Sequence, residues 1–168
     1  MITSLRITLP GEPHAQGRPR AFKTPGGFIR LYDPASSRNW KATAQEHFIT
    51  AMREAGEAGP LLGPVEVTIR AVFTCPKTDY RKNNPRGQRP HAKRPDAENV
   101  AKAVLDAGTG VLYADDAQVC ELKIEKVIGA QGEAPRVEVT VWSLEPEPHP
   151  AAKTIQPAPL LPDLGVGA

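Results

Sequence analysis

The chain contains little cysteine and no long apolar run, and each shortage excludes a class of protein. Cys75 and Cys120 are its two cysteines, too few for a disulfide framework and without the Cys-x-x-Cys spacing of many zinc and redox sites. We expect both thiols to be buried and reduced, as suits the cytosol. No apolar stretch approaches the roughly 20 residues of a membrane span, and the first residues lack the apolar core of a signal peptide. These shortages predict a cytoplasmic protein without a membrane partner.

Charge is nearly balanced over the whole chain, but the basic residues are concentrated in two segments. The formal net charge is +2, and 40% apolar with 24% charged residues is typical of a soluble protein. The first segment contains Arg18, Arg20, Lys23 and Arg30, and the second, residues 77–94, contains seven basic residues and one acid. Such local charge favours a polyanionic partner whatever the total charge is.

Hydrophobic periodicity predicts strands and helices along a chain whose 168 residues suit one domain. The predicted strands are residues 2–9, 28–32, 65–73, 119–128 and 137–142, from alternating or continuous apolar patterns. The predicted helices are residues 37–55 and a segment after Pro95 that ends near residue 107. This order favours an α+β fold, with a small mixed β-sheet and two main helices in a single domain. We expect the last two strands to be neighbours across the turn between them.

Three segments lack this periodicity. Residues 11–27, rich in glycine, proline and arginine, are predicted to be a loop. Residues 74–95 form a long polar loop with four prolines, and loops of such length are usually functional or disordered. From residue 145 onward, six prolines in 24 residues predict a disordered tail. The expected division is a domain at residues 1–144 and a tail at residues 145–168.

Two pairs of acidic residues flank the second predicted helix. Asp96 and Glu98 precede or begin it, and Asp115 and Asp116 follow it. Clustered carboxylates repel one another unless a cation or a substrate offsets their charge. Hard oxygen ligands of this kind favour Mg²⁺ or Mn²⁺ over zinc. Because a basic run comes directly before the first pair, the pattern indicates metal-dependent chemistry on a phosphate backbone.

The local sequence gives these acids an expected geometry. Pro95 disfavours a helical residue before it, so the chain should enter Asp96 extended. If the extension persists to Glu98, both carboxylates project to one side and can share one ion. Lys102 lies one helical turn beyond Glu98 on the same face. On a later strand, alternation places Lys126 on the inward side, towards the acids; protection of an edge strand is the alternative.

Each acidic residue also has a structural alternative. Asp96 could be a helix N-cap, and Glu98, Lys102 and Asp106 could form a solvated i, i+4 ladder. Asp115 and Asp116 could be an ordinary turn. The co-occurrence of both acidic pairs, one helix and one basic run favours a functional site.

The motifs resemble those of the RusA family of Holliday-junction resolvases, endonucleases of bacteria, phages and prophages. Pro13 to Arg20 matches the family's Pro-x-x-x-x-Arg-Pro-Arg element, and His91 to Asp106 matches its His-x-x-(Lys/Arg)-Pro-Asp-x-Asp-Asn-Leu-x-Lys-x-x-x-Asp core. Tyr113 to Val119 matches its Tyr-x-Asp-Asp-x-Gln-Val element, and Lys126 matches a lysine on the next strand. The resemblance covers roughly residues 5–143 and implies a RusA-like domain.

The resemblance also implies roles for single residues. Asp96, Glu98 and Asp116 fall on essential carboxylates, which should hold Mg²⁺, or Mn²⁺ in its place, with Asp115 as a possible accessory ligand. Lys102 falls on the catalytic lysine. Glu98 stands where the family usually has aspartate, so metal preference or rate could differ. The residues expected to bind the DNA backbone are Arg18, Arg20, Lys93 and Arg94, together with the basic residues at 77–89.

Together these implications predict a magnesium-dependent, structure-selective endodeoxyribonuclease of bacterial or phage origin. It should resolve Holliday junctions in recombination and repair by paired phosphodiester hydrolysis. Family members are homodimers, which suits a four-way junction because two symmetric strands need two active sites. The alternatives are a less selective branched-DNA nuclease and a non-catalytic junction-binding protein.

Overall fold

A five-stranded sheet forms the framework of the protein in a computed structural model, which describes residues 3–18 and 20–144. Its strands are β1 (Ser4–Pro10), β4 (Val65–Phe73), β5 (Arg89–Pro90), β6 (Val119–Ile128) and β7 (Arg136–Ser143), and a separate hairpin contains β2 (Arg20–Lys23) and β3 (Ile29–Tyr32). The strand order is β1-β7-β4-β6-β5. In this sheet β4 and β6 are parallel and the other neighbours antiparallel, so the sheet is mixed as predicted.

Two helices, α1 (Ala35–Glu54) and α2 (Ala97–Gly108), share one core with the sheet. Phe48 of α1 and Val104 of α2 are fully buried beside Val67 and Ile69 of β4. The apolar residues of β4 alternate with half-buried polar ones over its first part, so one face of the sheet supports the helices. The predicted α+β class with two main helices is confirmed.

The predicted pairing of the last two strands is wrong, because β4 lies between β6 and β7. β4 is the most completely buried strand, and a central place pairs both of its edges. The chain leaves β6 across the end of β4, where the Gly129 amide donates to the Phe73 carbonyl at 2.8 Å. A Cβ at Gly129 would stand 3.2 Å from that oxygen, so this crossing favours glycine.

The two predicted loops contain more structure than the sequence indicated. Residues 11–27 include β2, which pairs with β3. Residues 74–90 are held against the turn after β6, where Gln131 binds the backbone of Arg81 and Arg86. The predicted tail, residues 145–168, lies outside the described residues. Over the part of the chain that the structure describes, no helix is long and apolar enough to cross a membrane.

Candidate functional site

Asp96 occupies the N-cap position of α2, but its side chain makes no capping hydrogen bond. Its backbone is extended, with φ −69° and ψ 144°, so the chain enters the helix extended, as expected. The helix begins at Ala97, so the extension does not reach Glu98 and the strand-like alignment of the two carboxylates does not form. Asp96 therefore has the position of a structural cap without its hydrogen bond, and its carboxylate remains exposed.

Glu98, Lys102 and Asp116 lie around one cavity of about 480 Å³. Asp106 completes its polar side, and its apolar walls are Ala101, Leu105, Leu122 and Ile124. The carboxylates of Glu98, Asp106 and Asp116 accept no hydrogen bond from a described side chain. Lys102 forms no ion pair with Glu98 or Asp106, so the i, i+4 ladder considered as an alternative is absent among the described residues. Charged groups that remain free beside an apolar wall are available to a ligand.

Asp96 lines a different cleft, of about 710 Å³, with Arg18, Arg94, Pro95 and Asn99. A third cleft, of about 250 Å³, shares lining residues with both of the others; it is lined by Gln16, Gly17, Arg18, Asp33, Asn99, Lys102 and Asp106. All three clefts border α2, and we call them together the α2 groove. Within the described ranges, no three side chains of His, Cys, Asp or Glu stand close enough together to hold a metal ion.

The Asp115–Asp116 pair divides into one structural and one free carboxylate. Asp115 accepts a hydrogen bond from the Ala117 amide at 2.8 Å, and Gln118 completes a capping box by binding the Asp115 amide at 2.9 Å. The side-chain amide of Gln118 also donates hydrogen bonds to the backbone carbonyls of Leu61 and Gly63. Sequence reasoning missed Gln118, although its spacing from Asp115 is that of a capping box.

Tyr113 fixes the segment that carries Asp116 against α2. Its hydroxyl donates to the Leu105 carbonyl at 3.0 Å, and its side chain is buried. Burial, and then the charges of Asp116 and Asp106, raise the pKa of Tyr113, so the hydroxyl stays protonated. A Cβ on Gly108 would stand 2.6 Å from the tyrosine oxygen, which explains why a glycine ends this helix.

Two of the four predicted DNA-binding residues line the groove. Arg18 and Arg94 line it beside Asp96, and Lys93 is exposed next to them. Arg20 belongs to β2 by its backbone; its side chain is not described. The side chains of Arg18, Lys93 and Arg94 form no ion pair with a described residue.

Other predicted positions are corrected by their contacts. Arg89 pairs with Asp79 and therefore stabilises the 74–90 loop, so its guanidinium is not free for a DNA backbone. Lys126 does not contact the acids; its amine donates to the backbone carbonyls of Lys93, at 2.8 Å, and Pro95. Cys75 is buried as expected, but Cys120 is exposed on β6.

Comparisons with known proteins identify the family of this chain. The family described as endodeoxyribonuclease RusA matches residues 10–142, a range that contains the whole α2 groove. The uncharacterized protein YqaN of Bacillus subtilis (strain 168) is 34% identical over 143 residues, which cover 82% of this chain and 94% of that protein. The chain therefore belongs to the RusA family of endodeoxyribonucleases.

Proposed function

We propose that this nuclease resolves four-way DNA junctions by paired, divalent-metal-dependent hydrolysis of phosphodiester bonds. The proposal rests on unpaired carboxylates around α2. Asp96, Glu98 and Asp116 have no hydrogen-bonding or ion-pair partner among described side chains. Such acids, close to free arginine and lysine side chains, suit a cation and a polyanion that bind together.

Two of the proposed ligands suit Mg²⁺ or Mn²⁺, although no three described side chains of metal-ligating type converge on one point. Mg²⁺ commonly binds one or two carboxylates and keeps several waters or phosphate oxygens as its other ligands, and Glu98 and Asp116 supply two carboxylates in one cavity. Asp96 lies in the adjoining cleft, where it would act on the same ion or on its water ligands. When bound, such an ion lowers the pKa of a water ligand and stabilises the departing alkoxide.

The chain's own residues would do the rest of the chemistry. Lys102 lines the cavity with Glu98 and Asp116, and its ammonium would neutralise charge that develops on the reacting phosphate. Leu105, Leu122 and Ile124 form the apolar side of the cavity. Once DNA covers the cavity, these apolar walls would help to exclude water and lower the local dielectric constant, which strengthens the charge interactions within it.

The basic residues would hold the DNA without reading its sequence. Arg18, Arg94 and Lys93 offer cations beside the groove, and contacts to phosphate position a duplex while carrying no direct sequence information. Affinity should therefore fall steeply as salt rises. We further propose a homodimer, because a two-fold axis presents two equivalent grooves to the two symmetric strands of a junction.

A labelled four-way junction tests the proposal. With Mg²⁺ or Mn²⁺, the wild-type protein should introduce paired nicks in opposite strands, and Asp116→Asn should bind the junction without cutting it. Glu46→Gln, which removes an exposed carboxylate from α1, is the matched control and should cut normally.

Parallel substrates separate the alternatives. Equal cutting of junctions, forks and duplexes would support a less selective nuclease in place of a resolvase. Binding of the junction without any cutting, in both metals, would support a non-catalytic binding protein and contradict the proposal.

A further inference from the structure

Lys126 holds both ends of the segment that leads into the α2 groove. Its backbone carbonyl accepts a hydrogen bond from the His91 amide at 3.0 Å. Its amine donates to the carbonyls of Lys93 and Pro95, which flank Arg94. Three contacts from one residue of β6 therefore fix residues 91–95 immediately before Asp96.

A ring contact holds the same segment from the other side. The His91 ring stacks on Phe73 of β4, with centroids 4.6 Å apart and an interplanar angle of 14°. Phe73 is itself buried in a small core with Ala71 and Val100, so the contact joins the segment to both β4 and α2. Burial, and then the charge of Lys126, lower the pKa of His91, which favours the neutral ring in this stack.

The hydrogen-bond acceptors of the Lys126 amine indicate its role. Its amine makes no ion pair with a described carboxylate, although acids lie on both sides of α2. Because its hydrogen bonds draw the carbonyls of Lys93 and Pro95 towards β6, they restrict the path of the backbone between and beyond them. The next residues along that path are Arg94 and Asp96, which line the same cleft.

We infer that Lys126 is a positioning residue for cleavage: through the carbonyls of Lys93 and Pro95 it sets where Asp96 and Arg94 stand in the α2 groove. The inference rests on the proposed function, because it takes Asp96 as part of the metal-dependent site. Lys126 itself touches neither metal nor DNA in this role. Its loss should therefore change the metal requirement of cleavage more than the affinity for DNA.

The test compares Lys126→Met, which keeps the length of the side chain but removes the donors, with Lys126→Arg, which keeps donors and charge. Lys126→Met should raise the Mg²⁺ concentration for half-maximal junction cleavage by about tenfold, the scale expected for groups that orient metal ligands. Junction binding without metal should stay within about twofold. Lys126→Arg should recover most of the lost metal response.

Lys123→Met is the matched control, because Lys123 is an exposed lysine of β6 that borders a different cavity. It should leave the metal requirement unchanged, which separates a lost hydrogen-bond donor from a lost charge. Thermal unfolding of each variant sets an assay temperature at which it is fully folded. Should Lys126→Met be too unstable to assay, Lys126→Gln, which loses the charge and much of the reach, takes its place: a raised metal requirement supports the inference, and a wild-type requirement overturns it.

Asp96→Asn, assayed in parallel, distinguishes the two proposals. If Asp96→Asn is inactive while Lys126→Met keeps the wild-type metal requirement, the positioning role is wrong and the proposed function stands. If Asp96→Asn cuts normally, the proposed site itself is wrong. If Lys126→Met and Lys126→Arg are equally impaired, the donors are not what matters and the inference fails.

Discussion

Carboxylates occur in two contrasting settings in this protein, the turn after β6 and the α2 groove. In the turn, Glu133 accepts hydrogen bonds from the Ala130 amide at 2.6 Å, the Gln88 side chain at 2.7 Å and the Arg136 guanidinium at 2.8 Å. These bonds, the backbone one first, lower the pKa of Glu133 to about 2. The Glu133 carboxylate therefore has a structural role, with its hydrogen bonds made to neighbouring groups of the fold.

In the groove, by contrast, Asp96, Glu98 and Asp116 have no such partner among the described residues. The same chemical group is thus used for stability in one place and left free in the other. Free charges close together are a cost to the folded chain unless a ligand offsets them. Hydrogen-bonding partners, more than residue type, therefore distinguish the structural carboxylate from those that we propose to be functional.

The largest effect should follow from neutralising an acid of the groove. We expect Glu98→Gln to lower the cleavage rate by about 100-fold or more, a scale typical of losing one preorganised charged group at a reaction centre. The melting temperature should stay the same or rise slightly, because no hydrogen bond is lost and repulsion is relieved. Cleavage kinetics together with thermal unfolding check this, and a large fall in stability would contradict it.

The same substitution in the turn should give the opposite result. Glu133→Gln removes the charged acceptor of the Arg136 and Gln88 bonds, so the free energy of unfolding should fall by about 1–2 kcal/mol. The cleavage rate at saturating DNA should stay within about twofold of wild type. Denaturant unfolding measures the first quantity, and unaltered stability would show that the Glu133 network adds nothing to the fold.

Lowering the pH should weaken the same network without a substitution, because it protonates the Glu133 carboxylate. Because folding lowers the pKa of Glu133 from 4.5 to about 2, its contribution is fully present above pH 4.5 and is lost as the pH falls towards 2. The stability difference between wild type and Glu133→Gln should therefore shrink over that range. A difference that is constant from pH 5 to pH 2 would exclude the lowered pKa.

Exchanging one carboxylate for another in the groove should affect cleavage less than neutralising it. Glu98→Asp withdraws the charge by about one bond length but keeps a hard oxygen donor. We expect cleavage within about tenfold of wild type, with a changed ratio of Mn²⁺ to Mg²⁺ activity. If Glu98→Asp is as inactive as Glu98→Gln, the length of the side chain at this position determines the cleavage rate together with its charge.

Local patterns predicted much of this architecture. Alternation placed β4 within the correct residues, Val65–Phe73, and spacing placed Glu98 and Lys102 on one face of α2. These features depend on neighbours along the chain, where periodicity is informative. The second helix ends at Gly108, next to its predicted end near residue 107.

Non-local choices were not visible in the sequence. The order of β4, β6 and β7 depends on which strand gains most from a central place, and neighbouring strands in sequence need not pair. The contacts of Lys126 were missed for a different reason: its acceptors are backbone carbonyls, which every residue carries. Arg89 and Arg94 look alike as basic residues, and only the fold places Asp79 beside the first of them.

Crystals of the protein soaked with Mn²⁺, with and without junction DNA, test the central claim most directly, because anomalous scattering locates the ion. We expect a peak in the α2 groove within about 2.0–2.6 Å of carboxylate oxygens of Glu98 and Asp116, and none at Glu133. A groove that stays empty at saturating Mn²⁺ with DNA bound, or a peak at Glu133 instead, would contradict it.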